Sequence, residues 1–560
     1  MQHRLLFPSL MLVLVLLAGC AKQGMPSGGP KDVAPPVAKR TTPDNRTLGF
    51  GANQFYIEFD EYVVIKDAEN NIMVSPPMAQ KPEYKTKGRG IQVRIKDTLQ
   101  PNTTYVFQFK EAIADFNEGN LLPSLEYVFS TGSYIDSMTV RGKALDALTA
   151  EAREETMSVW LLTADQRQTL LQSMSDTSVK APTPTYATRC DKQGTFSFNY
   201  IRPGEYYIVA LADEDKNMQI GPGEAIGFND NPVASQPMAD STGNDSVRSS
   251  LPPVTSTKIS IFKPENNKQR VTGSNFLAAG KVRITTQLPM KEPVVTCDTE
   301  KTVWRLNDKR DTLTLWTLRE KCDSVGLVIS DPSGLQDTLR LRWRPKKGVA
   351  TASAQSDIKL NYSKLPYYDT LSLLFATPLA SGESVDSAVR ITSLKDSTIN
   401  YCTAVPDKSL MRASVDFAFK QGEKYVVDID KGQFKNIYNK SCDSLHATVE
   451  VTKAEEYGNM RLEILKDSSL GTAENLVVEL IDEKGTVLKR SKAAIGDKVR
   501  FQNLKPAKYK VRAIIDLDAD GEWTPGNFAG QVQPEPVVYH NKTLDIRANW
   551  DFEEKFIISY

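Results

Sequence analysis

Two stretches of this chain read alike: IRPGEYYIVALADEDKNMQIGPGE at Ile201–Glu224 and LKPAKYKVRAIIDLDADGEWTPGN at Leu504–Asn527. At one constant offset of 303 residues, Pro203 matches Pro506, Tyr206 matches Tyr509 and Ala210 matches Ala513. Asp213 then matches Asp516, Asp215 matches Asp518, Pro222 matches Pro525 and Gly223 matches Gly526, while upstream Phe198 matches Phe501. Ungapped matches at a single offset mark an internal repeat, so the chain carries two copies of one β module. Working outward, short runs rich in Thr, Ser, Val and Tyr alternate with turn-forming segments, a pattern of strands rather than helices.

The 560 residues exceed what one core holds and predict three to five domains. The 69 basic residues balance 69 acidic ones, and no basic run occurs, which excludes a nucleic-acid footprint. The first residues are an address: Arg4, the apolar run Leu5–Leu17, then Leu17-Ala18-Gly19-Cys20. This resembles a bacterial lipobox, and the resemblance implies that residues 1–19 are removed and that Cys20 carries lipid. No later run reaches the ~18 apolar residues of a membrane helix. Residues 20–40, rich in Pro and Gly, read as a tether. No acidic run follows Cys20 to indicate a membrane leaflet.

Residues 41–132 contain the runs QFYIEF (Gln54–Phe59), IQVRI (Ile91–Ile95), TYVFQF (Thr104–Phe109) and EYVFSTG (Glu126–Gly132). Their spacing predicts an antiparallel sandwich. FDEYV at Phe59, LQPNTTYVF at Leu99, AIADFNEGN at Ala112 and FSTG at Phe129 resemble the SbsA-type bacterial Ig-like domain. The turn Asp115–Asn120 is one residue longer than that family's pattern. PSGGPKDVAPP (Pro26–Pro36) resembles the leader of Bacteroidota lipoproteins bearing this module. The resemblance implies a fold and an envelope location, without a molecular task.

Residues 133–230, ending in Gly-x-Phe-x-Phe, a Pro-Gly turn and Tyr-x-x-x-Ala, resemble the prealbumin-like or collagen-adhesin B-type repeats of surface proteins. Residues 231–257 read as a linker. A middle β domain (258–350), a second Ig-like module (356–455) and the second prealbumin-like module (458–560) complete the expected layout. The fold class is therefore all-β, tandem antiparallel β-sandwich modules behind a lipoprotein signal peptide.

The two acidic segments follow the grammar of a calcium loop, in which oxygens at positions 1, 3 and 5 converge, glycine at 6 turns the chain, a carbonyl serves at 7 and an acid closes at 12. Asp516, Asp518, Asp520 and Gly521 fill the first four of these, Glu522 offers the carbonyl, and Asn527 stands at 12. The weaker copy has Asp213, Asp215, Asn217 and Glu224, with Met218 where glycine belongs. Structural Ca²⁺ is the one cofactor this implies; the competing reading is an acidic turn capping its own backbone. Beyond Cys20, the pairs Cys297 with Cys322 and Cys402 with Cys442 are disulfide candidates in an exported chain, against the alternative of buried free thiols, and Cys190 is left over. Past the leader only His446 and His540 remain, neither in a catalytic motif.

These readings imply a non-catalytic, lipid-anchored envelope scaffold or protein-binding surface at the outer membrane, with a glycan-binding lipoprotein and an envelope hydrolase as the alternatives. Among the tryptophans, Trp160, Trp316 and Trp343 read as core. Trp523 reads as a lid on the acidic loop, with stacking on a ligand as its alternative.

Overall fold

The computed structural model describes residues 32–176, 178–213, 217–221, 223–238, 256–264, 269–278, 280–298, 302–318, 324–344, 357–467 and 475–559. Cys20, most of the tether and linker, Asp215 and Cys322 lie outside the described residues. Half of the described residues are strand and 4% are helix. The chain forms two compact units: residues up to Lys143 with Thr156–Ala210 and Asn229–Lys258, and Ala144–Glu155 with Leu211–Phe228 and Ile259–Tyr560.

The first unit begins with a sandwich. One sheet runs Ala38–Thr42, Gln54–Phe59, Gly90–Arg94, Glu83–Lys87; the facing one runs Glu126–Ser130, Thr104–Phe109, Ile72–Ser75. Alternation in QFYIEF sends Phe55, Ile57 and Phe59 into the core and leaves Gln54 and Glu58 outside. TYVFQF breaks the alternation and is buried on both faces. The reason is the strand Tyr186–Arg189, which covers the outer face: Thr188 Oγ1 donates to buried Gln108 (2.8 Å), and the Ala187 N–H donates to Ser75 Oγ (3.3 Å).

Further along this unit, Thr195–Ile201, Met138–Asp146 and Gln236–Pro237 form one sheet, and Tyr186–Arg189, Ser158–Leu162 and Glu205–Leu211 another. The helix Ala164–Ser175 interrupts the β module expected over residues 133–230. Thr163 and Gln166 close its N-terminus reciprocally, side chain to backbone, as a capping box.

In the second unit, residues 271–342 form a four-stranded and a three-stranded sheet around Val282, Ile284, Leu313, Leu327 and Ile329. Residues 358–451 form a single eight-stranded sheet whose edges are Ile358–Leu360 and Lys364–Leu365. Those two edge strands are joined by only three residues of chain, a reach of about 10 Å, so the sheet must curl to bring its two edges near each other. This region thus differs from the two facing sheets of residues 38–130. The C-terminal module has one sheet of Lys498–Leu504, Gly458–Lys466 and Asp551–Ile558. The other is Val487–Ala493, Leu476–Ile481, Ala507–Ile515 and Val537–Tyr539.

The repeat is visible atom by atom. Tyr206 Oη donates to Arg202 O (3.0 Å), and Tyr509 Oη donates to Lys505 O (2.6 Å). Tyr200 and Asn503, also 303 residues apart, both sit at positive φ (57° and 56°) where each strand bulges against its partner. Removing either hydroxyl, as Tyr206→Phe or Tyr509→Phe, is expected to cost about 1 kcal/mol in urea titration. Equivalent costs would mark equivalent roles; a loss at one site alone would break the equivalence.

Candidate functional site: the acidic loop of the C-terminal module

The strand Ala507–Ile515 is buried from Val511 to Ile515 and delivers the next residue, Asp516, into the interior at 5% exposure. The Ile515 N–H donates to Pro536 O (2.9 Å), which places Glu535, itself 4% exposed, beside Asp516. Glu535 staples the loop: Oε1 accepts from the Leu517 N–H (2.6 Å) and Oε2 from the Thr524 N–H (3.0 Å). Trp523 Nε1 donates to Glu535 O (3.0 Å), so this half-buried indole closes over the loop. Asp518 Oδ2 accepts from Thr524 Oγ1 (2.9 Å). One carboxylate oxygen from each of Asp516, Asp518 and Glu535 comes within 4.8 Å of the others.

Burial pushes the Glu535 carboxyl above its ordinary range, the Thr524 and Leu517 N–H groups pull against that, and the Asp518 charge adds to the rise. Asp516 Oδ2 accepts from the Gly521 N–H (3.0 Å), but its Oδ1 is buried with no hydrogen-bond partner. Gly521 suits this turn: its φ is 84°, a left-handed conformation that costs glycine least.

The remaining predicted ligands stand elsewhere. Asp520 is exposed and accepts from the Glu522 N–H (2.6 Å); the exposed Glu522 carboxylate faces Arg490 (3.7 Å). Asn527 pairs with Val532 through both backbone groups, and its Oδ1 accepts from the Gly530 N–H (3.0 Å). The place that spacing assigns to Asn527 is taken in space by Glu535. Sequence reasoning missed it because residues 527–534 form a detour with no counterpart in the first copy. There, the Ala212 N–H donates to Ala225 O as the Ile515 N–H does to Pro536 O, so Glu224 corresponds to Glu535. Glu224 Oε2 accepts from the Gly221 N–H (2.6 Å). Asp213 accepts from the Asn217 and Met218 N–H groups (3.0 and 3.1 Å), and Asn217 Oδ1 from the Gln219 N–H (2.6 Å). Met218 takes the positive φ (55°) that Gly521 takes in the second copy.

Cys402 and Cys442 are free thiols in the core of the curled sheet, not a disulfide. Burial pushes Cys442 up to about 11 and raises Cys402 too, so little thiolate exists at neutral pH. In native protein both are expected to resist iodoacetamide, and to label after denaturation without reductant; a need for reductant would show a bond. Cys297 lies half-buried at the end of Val294–Cys297. Trp160 and Trp316 are core, as predicted, and Trp343 is half-buried against Phe276.

His446 is exposed and pairs with Asp428 (2.6 Å), which also binds Arg390 (3.2 Å). His540 contacts the backbone at Lys542 and Lys555. No described helix is long and apolar enough to cross a membrane. In the first sandwich, a shallow cleft of about 600 Å³ is lined by residues including Gln54, Tyr56 and Gln92. In the same module Tyr62 and Phe116 are both exposed on neighbouring backbone: the Phe116 N–H donates to Tyr62 O (2.9 Å), and the Arg89 guanidinium lies over the Tyr62 ring (5.5 Å).

Residues 32–131 match the model of a bacterial Ig-like domain. No curated protein matches the chain. Among solved structures the chain is similar to BcpA, the major pilin subunit of Bacillus cereus, with 10% identity, 75% of this chain and 98% of that one covered, and a TM-score of 0.14. It is also similar to SGBP-B of a Bacteroides ovatus mixed-linkage glucan utilization locus, solved with a heptasaccharide (8% identity, 73% and 91% covered, TM-score 0.18). The Bacillus anthracis TIE protein is a third (11% identity, 95% and 76% covered, TM-score 0.13). At scores this low none of the three carries an argument.

Proposed function

We propose that this chain is a non-catalytic envelope protein, anchored at the outer membrane through lipid on Cys20, that offers its β modules as a scaffold or protein-binding surface. The Ig-like module is read as the SbsA type and the chain as a Bacteroidota lipoprotein, from the motifs quoted above. The observation that carries the binding role is the exposed pair Tyr62 and Phe116 with Arg89 on the rigid Ig-like sandwich. Aromatic and arginine side chains on a fixed frame are the groups that anchor protein partners. The two histidines support the non-catalytic reading: exposed His446 is paired with Asp428, and half-buried His540 is engaged by the Lys542 and Lys555 carbonyls, so both have partners that fit a structural role.

The test is a pull-down from native membranes with C-terminally tagged, full-length protein. A stoichiometric envelope partner that is lost with Tyr62→Ser and Phe116→Ser supports the reading. Recovery of the protein alone, or a partner indifferent to both changes, overturns it. Cys20→Ala should move the protein from the membrane to the soluble fraction. The amide- and tyrosine-lined cleft at Gln54, Tyr56 and Gln92 favours a second reading, glycan binding, for which a glycan array is the check.

A further inference from the structure

We propose that Asp516, Asp518 and Glu535 form a divalent-cation site, selective for Ca²⁺, that ties the acidic loop to the strand Val537–Tyr539. Three observations carry it. The three carboxylates converge within 4.8 Å, although Glu535 lies beyond the loop that spacing alone defines. Two of them are more than nine-tenths buried. Asp516 Oδ1 is buried without a hydrogen-bond donor, whereas its companion oxygen is satisfied by the Gly521 N–H. A buried carboxylate oxygen with no donor is costly unless a cation completes it.

Protein cations do not fill this role. Among the described residues, none of the three carboxylates forms an ion pair with lysine or arginine; Arg490 is engaged by Glu479 and Glu522. The three acids supply hard oxygens from a loop and a strand end, with exposed Asp518 at the solvent side. Ca²⁺ accepts such irregular oxygen sets, completed by carbonyls and water, whereas Mg²⁺ demands a near-ideal octahedron. In the first copy Asp213 has no such donor-less oxygen, since both of its oxygens accept hydrogen bonds, and Asp215 lies outside the described residues, so the site is assigned on the second copy.

The experiment titrates full-length protein in detergent with Tb³⁺, reading luminescence sensitised through Trp523, and displaces it with Ca²⁺ or Mg²⁺. Calorimetry with Ca²⁺ alone gives the affinity, expected at about 10⁻⁴–10⁻³ M as in extracellular modules. Asp516→Asn and Glu535→Gln should each weaken Ca²⁺ binding at least ~10-fold, since each removes one of three charged ligands. Asn527→Ala should leave it unchanged. Trp523→Phe should abolish the luminescence while keeping the calorimetric signal. The proposal is overturned if wild-type protein shows no calorimetric Ca²⁺ binding, a result that does not depend on how any variant folds. It is also overturned if Asn527→Ala weakens binding as much as Glu535→Gln, or if Mg²⁺ displaces Tb³⁺ as well as Ca²⁺ does.

Discussion

Glu479→Ala is expected to destabilise the C-terminal module by about 3–5 kcal/mol, the usual loss when one partner of a buried ion pair is removed. Glu479 lies at the middle of its sheet with no exposed surface. It faces Arg490 on one neighbouring strand and Arg512 on the other. Its Oε1 binds Arg490 (2.7 Å) and its Oε2 binds Arg512 (2.7 Å). Arg512 continues the row, donating to Tyr539 Oη (3.2 Å) and Leu148 O (3.3 Å), and Tyr539 Oη also donates to Leu148 O (2.8 Å). Alanine leaves the Arg512 guanidinium buried without its counter-charge, while half-exposed Arg490 turns to solvent.

The first copy shows what the row replaces. Val209 stands where Arg512 does, and Phe228 stands where Tyr539 does; both are buried. An apolar solution therefore fits this sheet, and the double variant Glu479→Leu with Arg512→Leu is expected to recover most of the loss. Calorimetric unfolding of the full chain, with its transitions separated, measures both. If Glu479→Ala shifts no transition, the row contributes nothing to stability.

The repeat was the most legible feature because it is written in side chains whose roles depend on neighbours in sequence. Tyr206 and Tyr509 bond four residues back, and Asp213 and Asp516 accept from N–H groups five residues ahead. Local bonds leave local patterns. Glu535 left none, because its role depends on the eight-residue detour after Gly526 and on the strand that brings it back to Ile515. The curled single sheet of 358–451 was hidden for the same reason: the order of its strands is set by which of them pair, not by how each alternates. The helix Ala164–Ser175 is a different failure. Its start is spelled out in Thr163-x-x-Gln166, a capping box that the all-β reading of residues 133–230 did not use. TYVFQF misleads in the opposite direction, since its polar glutamine is buried by a partner strand some eighty residues later.

Phe129→Ala should cost the Ig-like module about 3–5 kcal/mol, a core phenylalanine's usual cost. Phe129 belongs to the closing Phe-Ser-Thr of the family pattern and is fully buried. It stacks on Phe50 (centroids 3.8 Å apart) and Tyr105 (5.4 Å), and touches Phe107 and Tyr127 (6.1 Å each). Those rings are themselves buried, two on the strand Thr104–Phe109, one on Phe129's own strand and Phe50 ahead of Gln54–Phe59, so the cavity left by alanine has no flexible neighbour to fill it. Phe116, of the same residue type and 67% exposed, is the internal comparison. Phe116→Ala should change stability by no more than about 0.5 kcal/mol. The proposed function asks that Phe116 nonetheless matter for partner capture, and Phe129 only for folding. A Phe116→Ala protein that melts early, or a Phe129→Ala protein that melts normally, would mean that burial in this module does not measure what each ring is for. A stable Phe116→Ala protein that no longer captures its partner would separate the frame from the surface it presents.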